Sequence, residues 1–287
     1  MSRGVLVDTT LCIACRGCQV SCKRENSLPA ESTQFCTASN GMQNPPALSS
    51  KTYTLISYSE VEQGKDLKWV FTKHQCMHCQ EPACASACLV GALTKTETGA
   101  VVYDDNKCIG CRYCMLACPF NVPTFEWEKA VPYIKKCSFC FDRQEATNSP
   151  TELNGQPMTP ELKELHAEHF KTPACARACP TGALLFSERE ELLAVAKERI
   201  AKSPDKYIDH VYGEKEAGGT SWLYISSVPF ASLGLPANLG NRSFPSYARP
   251  AKEAVPYVIF GVGALLSGFY WLSKRRSQLE KAKEVTK

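Results

Sequence analysis

Sixteen of the 17 cysteines in this 287-residue chain fall into four groups, and only Cys36 lies outside them. The first group, CIACRGCQVSC at residues 12–22, places four thiols within eleven residues. Thiolates bind zinc ions and iron–sulfur clusters, so this density indicates metal chemistry. The four groups are Cys12, Cys15, Cys18 and Cys22; Cys76, Cys79, Cys84 and Cys88; Cys108, Cys111, Cys114 and Cys118; and Cys137, Cys140, Cys175 and Cys179.

Disulfides and zinc both explain these groups poorly. Cysteines separated by two residues do not easily reach disulfide geometry, and disulfide frameworks are typical of short secreted chains. A structural zinc site usually takes two CxxC pairs spread over some tens of residues. Here three groups each hold four thiols within 11 to 13 residues, and C-x2-C-x2-C-x3-C is the spacing of bacterial ferredoxins. The pattern favours iron–sulfur clusters, with zinc as the alternative.

The predicted ligand sets depend on how far a tight loop can reach. In two-cluster ferredoxins the fourth cysteine of a run binds the other cluster. Only 19 residues, 89–107, separate the second and third groups, so we pair these two groups and pair the first with the fourth. The other pairing, first with second and third with fourth, stays open. The predicted sets are Cys12, Cys15, Cys18 and Cys179 for cluster 1; Cys22, Cys137, Cys140 and Cys175 for cluster 2; Cys76, Cys79, Cys84 and Cys118 for cluster 3; and Cys88, Cys108, Cys111 and Cys114 for cluster 4.

Four [4Fe-4S] clusters on one chain would form a path for single electrons. Each cluster with its thiolates is net negative, so a neighbouring cation would raise its reduction potential. Ordinary surface charge is the alternative role for each such cation. The sequence contains no phosphate-binding loop, nucleophile elbow or GxGxxG motif, and we predict no catalytic residue. The cations beside the ligands are Lys23, Arg24, Lys107, Arg112, Lys135, Lys136 and Arg177.

An apolar segment followed by a basic tail predicts a membrane anchor. Residues 254–272, AVPYVIFGVGALLSGFYWL, carry no charge and would span about 28 Å as a helix, close to the roughly 30 Å of a bilayer core. Residues 273–287 carry six Lys or Arg and two Glu, which equals the whole net charge of +4. The balanced remainder excludes a basic nucleic-acid surface. A buried core helix is the alternative to a transmembrane helix.

The charge pattern also predicts a topology. The positive-inside rule places the basic tail in the cytoplasm and the cysteine-rich body on the periplasmic face of a bacterial inner membrane. The first residues, MSRGVLVDTTLC, show neither an apolar signal region nor twin arginines. We therefore expect the folded body to be exported together with a partner that carries a twin-arginine signal.

The predicted fold is α+β, with two bacterial-ferredoxin-like dicluster modules, inserted loops and one C-terminal transmembrane helix. Residues 28–50 and 141–174 are the predicted insertions. The predicted segments are 1–75, the first cluster-binding half with an inserted loop; 76–136, the central dicluster module; 137–186, the return half with an inserted loop; 187–253, a docking extension of helix and strand; 254–272, the transmembrane helix; and 273–287, the basic cytoplasmic tail.

Local patterns predict several elements within this organisation. Ser187 and Glu190 predict a capping box at the start of a helix that Pro204 ends. Residues 218–230 predict a short strand with an aromatic face, and the polar residues 236–253 predict a linker. Further short strands are predicted at Val5–Asp8, Thr52–Tyr58, Lys68–Thr72 and Val101–Tyr103.

With these residues in view, the chain resembles one family. The phrases KHQCMHCQEPACASAC at 73–88, CIGCRYCMLACPFNVP at 108–123 and VYGEKEAGGTSWLY at 211–224 carry the resemblance, together with the split last group and the single C-terminal helix. They are similar to the four-cluster iron–sulfur β subunit of membrane-bound respiratory formate dehydrogenases, and to the iron–sulfur subunit of uptake [NiFe]-hydrogenases. The resemblance covers nearly the whole chain.

The resemblance implies an electron-transfer subunit that is not catalytic alone. It implies four [4Fe-4S] clusters that relay electrons from a catalytic molybdopterin or nickel–iron subunit to an integral-membrane quinone or cytochrome b subunit in anaerobic respiration. Lys23 and Leu89 stand where many ferredoxin runs have proline. Because hydrogenase relatives often carry their own twin-arginine signal, the resemblance favours formate dehydrogenase. A zinc-organised interaction protein and a soluble polyferredoxin are the competing hypotheses.

Overall fold

The computed structural model describes residues 2–33, 43–64, 66–145, 152–153, 156–157, 159–161 and 171–285. Cys36 and parts of both predicted insertions lie outside these residues. The chain divides into a body, Met1–Phe244, and a C-terminal unit, Pro245–Lys287. The body mixes short helices with short strands, as the predicted α+β class requires. The sixteen described cysteines are all free thiols.

Most elements of the body are short, and loops that carry most of the cysteines separate them. Three-residue 3-10 turns at Asp105–Lys107 and Glu216–Gly218 and a four-residue turn at Phe230–Leu233 add to them. In chain order the strands and helices are β1 (Arg3–Asp8), α1 (Gly17–Glu25), β2 (Thr54–Gln63), β3 (Asp66–Gln75), α2 (Ala83–Ser86), β4 (Leu93–Lys95), β5 (Val101–Tyr103), α3 (Tyr113–Ala117), β6 (Thr124–Phe125), β7 (Ile134–Lys135), α4 (Phe141–Glu145), β8 (Glu152–Leu153), β9 (Gln156–Pro157), α5 (Ala174–Arg177), β10 (Leu184–Glu188), α6 (Arg189–Lys202) and β11 (Trp222–Ile225).

A three-stranded sheet forms the centre of the body. Its order is β10–β1–β11, with β1 antiparallel to β10 and parallel to β11. Successive side chains of a strand point to opposite faces, so Trp222 and Tyr224 join the core on the cysteine side, while Leu223 and Ile225 pack against α6. All four side chains are buried. The short strand expected within residues 218–230 is therefore confirmed, with apolar side chains on both faces.

A long hairpin, β2–β3, lies against the same core. The strands pair from Thr54↔Gln75 to Gln63↔Asp66, so both strands predicted here exist. β2 begins two residues later and ends five residues later than predicted, and β3 extends beyond both predicted ends. Their distal halves are largely exposed and mix polar side chains with the exposed Leu67 and Trp69, so no buried apolar face marks where these strands end. The strands predicted at Val5–Asp8 and Val101–Tyr103 are confirmed.

The predicted capping box is wrong. Helix α6 begins at Arg189 with Glu188 as its N-cap residue, and no side chain caps it. Ser187 instead pairs with Gly4 in the sheet, and its hydroxyl donates a hydrogen bond of 2.5 Å to Glu191. The strand holds Ser187 away from the position that a capping box requires. The helix ends at Lys202, ahead of the proline as predicted.

The C-terminal unit consists of one helix. This helix, α7 (Phe244–Val285), begins before the predicted span and continues through Pro250 and Pro256, so the predicted linker at 236–253 is helical from Phe244 onward. Residues Phe244–Leu279 are long and apolar enough to cross a membrane, and none of the apolar window is buried. By its length and composition, this helix is a candidate membrane anchor.

Candidate metal centres

Cys12, Cys15, Cys18 and Cys179 line one cavity in the body. The first three come from the loop before α1 and from α1 itself, and Cys179 follows α5; α1 and α5 pack against each other. The loop turns tightly, because Ala14 and Arg16 adopt left-handed backbone angles with φ of 55° and 59°. The structure thus brings together the four thiols of the set predicted for cluster 1.

Cys22, Cys137, Cys140 and Cys175 line a second cavity. Cys22 lies one turn further along α1, on the same helix as Cys18. The Phe139 N–H donates to the Cys137 sulfur at 3.3 Å, and the Asn26 side-chain amide donates to the Cys22 sulfur at 3.6 Å. Such donors stabilise a thiolate.

Cys76, Cys79, Cys84 and Cys118 share one electrostatic environment. The pKa of the Cys79 thiol lies well above its usual range because of burial, and then because of the neighbouring Cys76, Cys118 and Cys84 thiolates. Burial also raises the pKa of Cys84 to about 12, and Cys76 and Cys118 contribute to that rise. These are the four thiols predicted for cluster 3.

The remaining thiols lie around the contact between α2 and α3. The pKa of Cys114 is raised to about 11, chiefly by burial and also by the neighbouring Cys108, Cys111 and Cys88 thiols. Burial also raises the pKa of Cys88, but the N–H groups of Leu93 and other residues of that turn lower it by more, so the net shift is downward. A backbone N–H donates to Cys88 at 3.2 Å and another to Cys108 at 3.4 Å.

This donor arrangement fits iron–sulfur cubanes better than single metal ions. Among the described residues, no three His, Cys, Asp or Glu side chains converge closely enough to hold one ion. A zinc ion needs its ligands about 2.0–2.3 Å from one point, whereas a cubane separates its thiolates by its own iron and sulfide atoms. Burial raises the pKa of Cys18, Cys22 and Cys140 to about 12, so these thiols need bound metal to be thiolates at neutral pH.

The cations predicted beside the ligands have different environments. Lys23 pairs with Glu31 at 3.2 Å, and Lys107 pairs with Asp104 at 3.0 Å. Among the seven, Lys136 is buried, and it donates a hydrogen bond of 3.1 Å to the carbonyl of Cys137. Lys135 lies 3.9 Å from Glu126, and Arg112 lies over the rings of Phe125 and Trp127. Arg177 lies near Arg24, Arg143 and Glu25.

Two further lysines were missed by the sequence analysis. Lys95 donates to the carbonyl oxygens of His78 at 2.9 Å and Gly99 at 2.7 Å, and its pKa falls to about 8, chiefly because of burial. Lys73 is 2% exposed and lines both of the cavities described first. The sequence held one signal for Lys73. Alternate residues of a strand point to the same face, which places Lys73 and Gln75 together on one face of β3.

Together the fold and the thiol sites define an electron-transfer protein of the ferredoxin type. A family model described as a 4Fe-4S dicluster domain matches residues 67–159. The chain belongs to the family of iron–sulfur subunits found in formate dehydrogenase and hydrogenase systems, and members of this family are not catalytic alone.

Two named relatives carry this assignment, and a third similar protein matches more of the chain. The chain is 34% identical to the formate dehydrogenase-O iron-sulfur subunit of Escherichia coli K12 over 242 residues, 81% of this chain and 70% of the relative. It is 34% identical over 258 residues to the hydrogenase-2 operon protein HybA of Escherichia coli O157:H7, 82% of this chain and 73% of the relative. A protein of Nitratidesulfovibrio vulgaris is 42% identical over 279 residues, 97% of this chain and 68% of the relative. The resemblance stated from the motifs is confirmed.

Proposed function

We propose that this chain carries four [4Fe-4S] clusters and relays electrons from a catalytic subunit to a membrane subunit in anaerobic respiration. The observation that supports this most strongly is the lining of two cavities by four cysteines each, where every set combines the first and fourth groups. Clusters supply one-electron chemistry when bound. The chain's own residues hold the sulfurs, donate N–H groups to them and exclude water.

The proposed ligands are the four sets predicted from the sequence. Exchange of one cysteine between the groups fits the packing of α1 on α5 and of α2 on α3. The same packing argues against pairing the first group with the second. Two ferredoxin-like modules, with the segment bounds predicted above, would then share one body.

The pairing can be tested with serine variants of two cysteines from the last group. Cys179→Ser should disturb cluster 1 and Cys175→Ser should disturb cluster 2, although the two residues are four apart in one short segment. Under the other pairing, the serine at 179 would instead disturb a cluster held by Cys108, Cys111 and Cys114. Mössbauer and EPR spectra of each variant, compared with EPR of a Cys108→Ser variant, distinguish the two outcomes.

The proposed partners are a catalytic molybdopterin subunit and an integral-membrane quinone-reducing or cytochrome b subunit. The formate dehydrogenase relatives support the first. We propose that α7 anchors the chain in the bacterial inner membrane, with the body on the periplasmic face and the tail in the cytoplasm.

A nickel–iron hydrogenase is the second candidate for the complex, because the hydrogenase-2 operon relative matches as much of the chain as the formate dehydrogenase relatives do. Purification of the intact complex from membranes and assay of its metals separates the two. Molybdenum or tungsten in stoichiometric amount supports formate dehydrogenase, and nickel supports hydrogenase. Recovery of the chain without any catalytic subunit, or without need of detergent, would contradict the proposal.

A further inference from the structure

Lys73 lies between two of the cysteine cavities and is almost fully buried. It lines the cavity of Cys12, Cys15, Cys18 and Cys179, and it also lines the cavity of Cys22, Cys137, Cys140 and Cys175. Its residue exposure is 2%. One amine on β3 therefore faces both ligand sets of the first and fourth groups.

The amine is held in place by neutral groups. Its Nζ donates to the Thr54 hydroxyl at 2.5 Å and to the Gln75 side-chain carbonyl at 3.0 Å. It also lies 4.4 Å above the centre of the Trp222 ring. Tyr224 fixes the backbone of this site, since its hydroxyl accepts from the Gln75 amide at 2.6 Å and donates to the Lys73 carbonyl at 2.9 Å.

A buried ammonium needs a negative partner, because desolvation of an unpaired charge is costly. Among the described residues, Lys73 forms no ion pair with a carboxylate. The groups around it that can carry negative charge are the ligand sulfurs, which are thiolates when metal is bound. Burial lowers the pKa of Lys73, but Cys175, Cys18, Cys137 and Cys22 raise it by more. The structure thus surrounds Lys73 with ligand sulfurs from both cavities and with neutral donors and acceptors.

We propose that Lys73 is a positioning residue whose charge stabilises the reduced state of clusters 1 and 2 together and so raises both reduction potentials. This inference rests on the proposed function, since it requires clusters in both cavities. A reduced cluster carries one more negative charge than an oxidised one, and an unscreened cation nearby favours that state. Because Lys73 faces both sites, one side chain sets the potentials of two neighbouring steps of the electron path.

The test is an EPR-monitored redox titration of the purified complex with Lys73→Met and Lys73→Gln, two neutral variants. Iron per chain is measured first. We expect the reduced-to-oxidised ratio of two of the four clusters to fall at least about tenfold at a fixed solution potential. For a one-electron couple, a tenfold fall corresponds to a reduction potential lowered by about 59 mV. The other two clusters should change by less than about twofold. Lys73→Arg keeps the charge and should restore the wild-type ratios to within about threefold.

The matched control is Lys68→Met, which removes the same charge from an exposed position on the same strand. It should change every ratio by less than about twofold, because water screens an exposed charge. Unchanged potentials in both neutral variants with full iron content would overturn the inference. A second outcome is that both neutral variants lose two clusters. In that case, a Lys73→Arg variant that keeps all four clusters supports the role of the charge, and a Lys73→Arg variant that loses the same two clusters overturns it. A wild-type complex without four cubanes would instead overturn the proposed function.

Discussion

Replacing Asp8 with Asn should loosen the junction that supports the first cysteine loop. Asp8 ends β1 and is 1% exposed. One carboxylate oxygen accepts from the Thr10 N–H at 3.0 Å and from the Thr10 hydroxyl at 2.6 Å. The other accepts from Arg199 at 3.0 Å and from the Tyr207 hydroxyl at 2.8 Å. One side chain therefore joins the strand, the helix α6 and the loop that leads to Cys12.

The size of the effect follows from these contacts. Breaking a buried ion pair costs about 3–5 kcal/mol. The Arg199 side chain is 32% exposed, so water partly replaces the interaction that Arg199 loses. The expected loss in free energy of unfolding is therefore about 2–3 kcal/mol. In a body of this size each kcal/mol shifts the melting temperature by roughly 2–4 °C. We expect Asp8→Asn to melt about 5–10 °C below the wild type.

The assay is thermal unfolding of the cluster-loaded protein at a fixed scan rate, followed by circular dichroism and by cluster absorbance. The matched control is Glu198→Gln on the same helix, which breaks an exposed pair with Lys202 whose side chains are 60% and 72% exposed. Water screens such an exposed pair, so Glu198→Gln should lower the melting temperature by no more than roughly 1–2 °C. Equal shifts for Asp8→Asn and Glu198→Gln would refute the reasoning, because burial would then not decide the cost.

Three further predictions concern the insertion, the backbone and the metal. Burial raises the pKa of Glu31, but hydrogen bonds from the Ser49 and Thr52 hydroxyls lower it by more, so the net shift is downward. Glu31→Gln should lower the free energy of unfolding by about 1–2 kcal/mol. This difference should shrink as the pH falls from about 4.5, the ordinary value, through the lower pKa of the folded protein, because the folded carboxylate then becomes protonated. Gly213→Ala should lower the free energy of unfolding by more than about 2 kcal/mol in chemical denaturation, because the φ of Gly213 is +93° and a Cβ would overlap neighbouring atoms. The control Gly64→Ala should lower it by about 1 kcal/mol, because Gly64 has a φ of +66° but open space around it. Iron chelation should unfold the body as seen by circular dichroism, since seven of the described cysteines are buried; native-like stability of the metal-free chain would contradict this.

The sequence was informative where chemistry leaves a dense local pattern. Cysteine spacing predicted the metal class, and the uncharged run at 254–272 predicted the C-terminal helix. Strand Val101–Tyr103 was predicted at its observed bounds, because its short apolar run is bounded by a glycine turn. These features depend on neighbouring residues, so a linear pattern contains them.

Features that depend on distant segments were harder to predict. Ser187 satisfies the local rule for a helix cap, yet pairing with Gly4 draws it into the sheet. The distal half of β2–β3 is largely exposed and includes Leu67 and Trp69, so its pairing is set by the hairpin rather than by a buried face. Lys73 appeared in the sequence as one more lysine, because its burial arises from β11 and from two cysteine loops that are far away in the chain.

The most direct test of the central claim is metal and sulfide analysis of the anaerobically purified protein, combined with EPR after dithionite reduction. The account predicts about sixteen irons and about sixteen acid-labile sulfides per chain, with EPR signals from reduced cubanes. Stoichiometric zinc, or iron far below sixteen with no EPR signal after reduction, would contradict it.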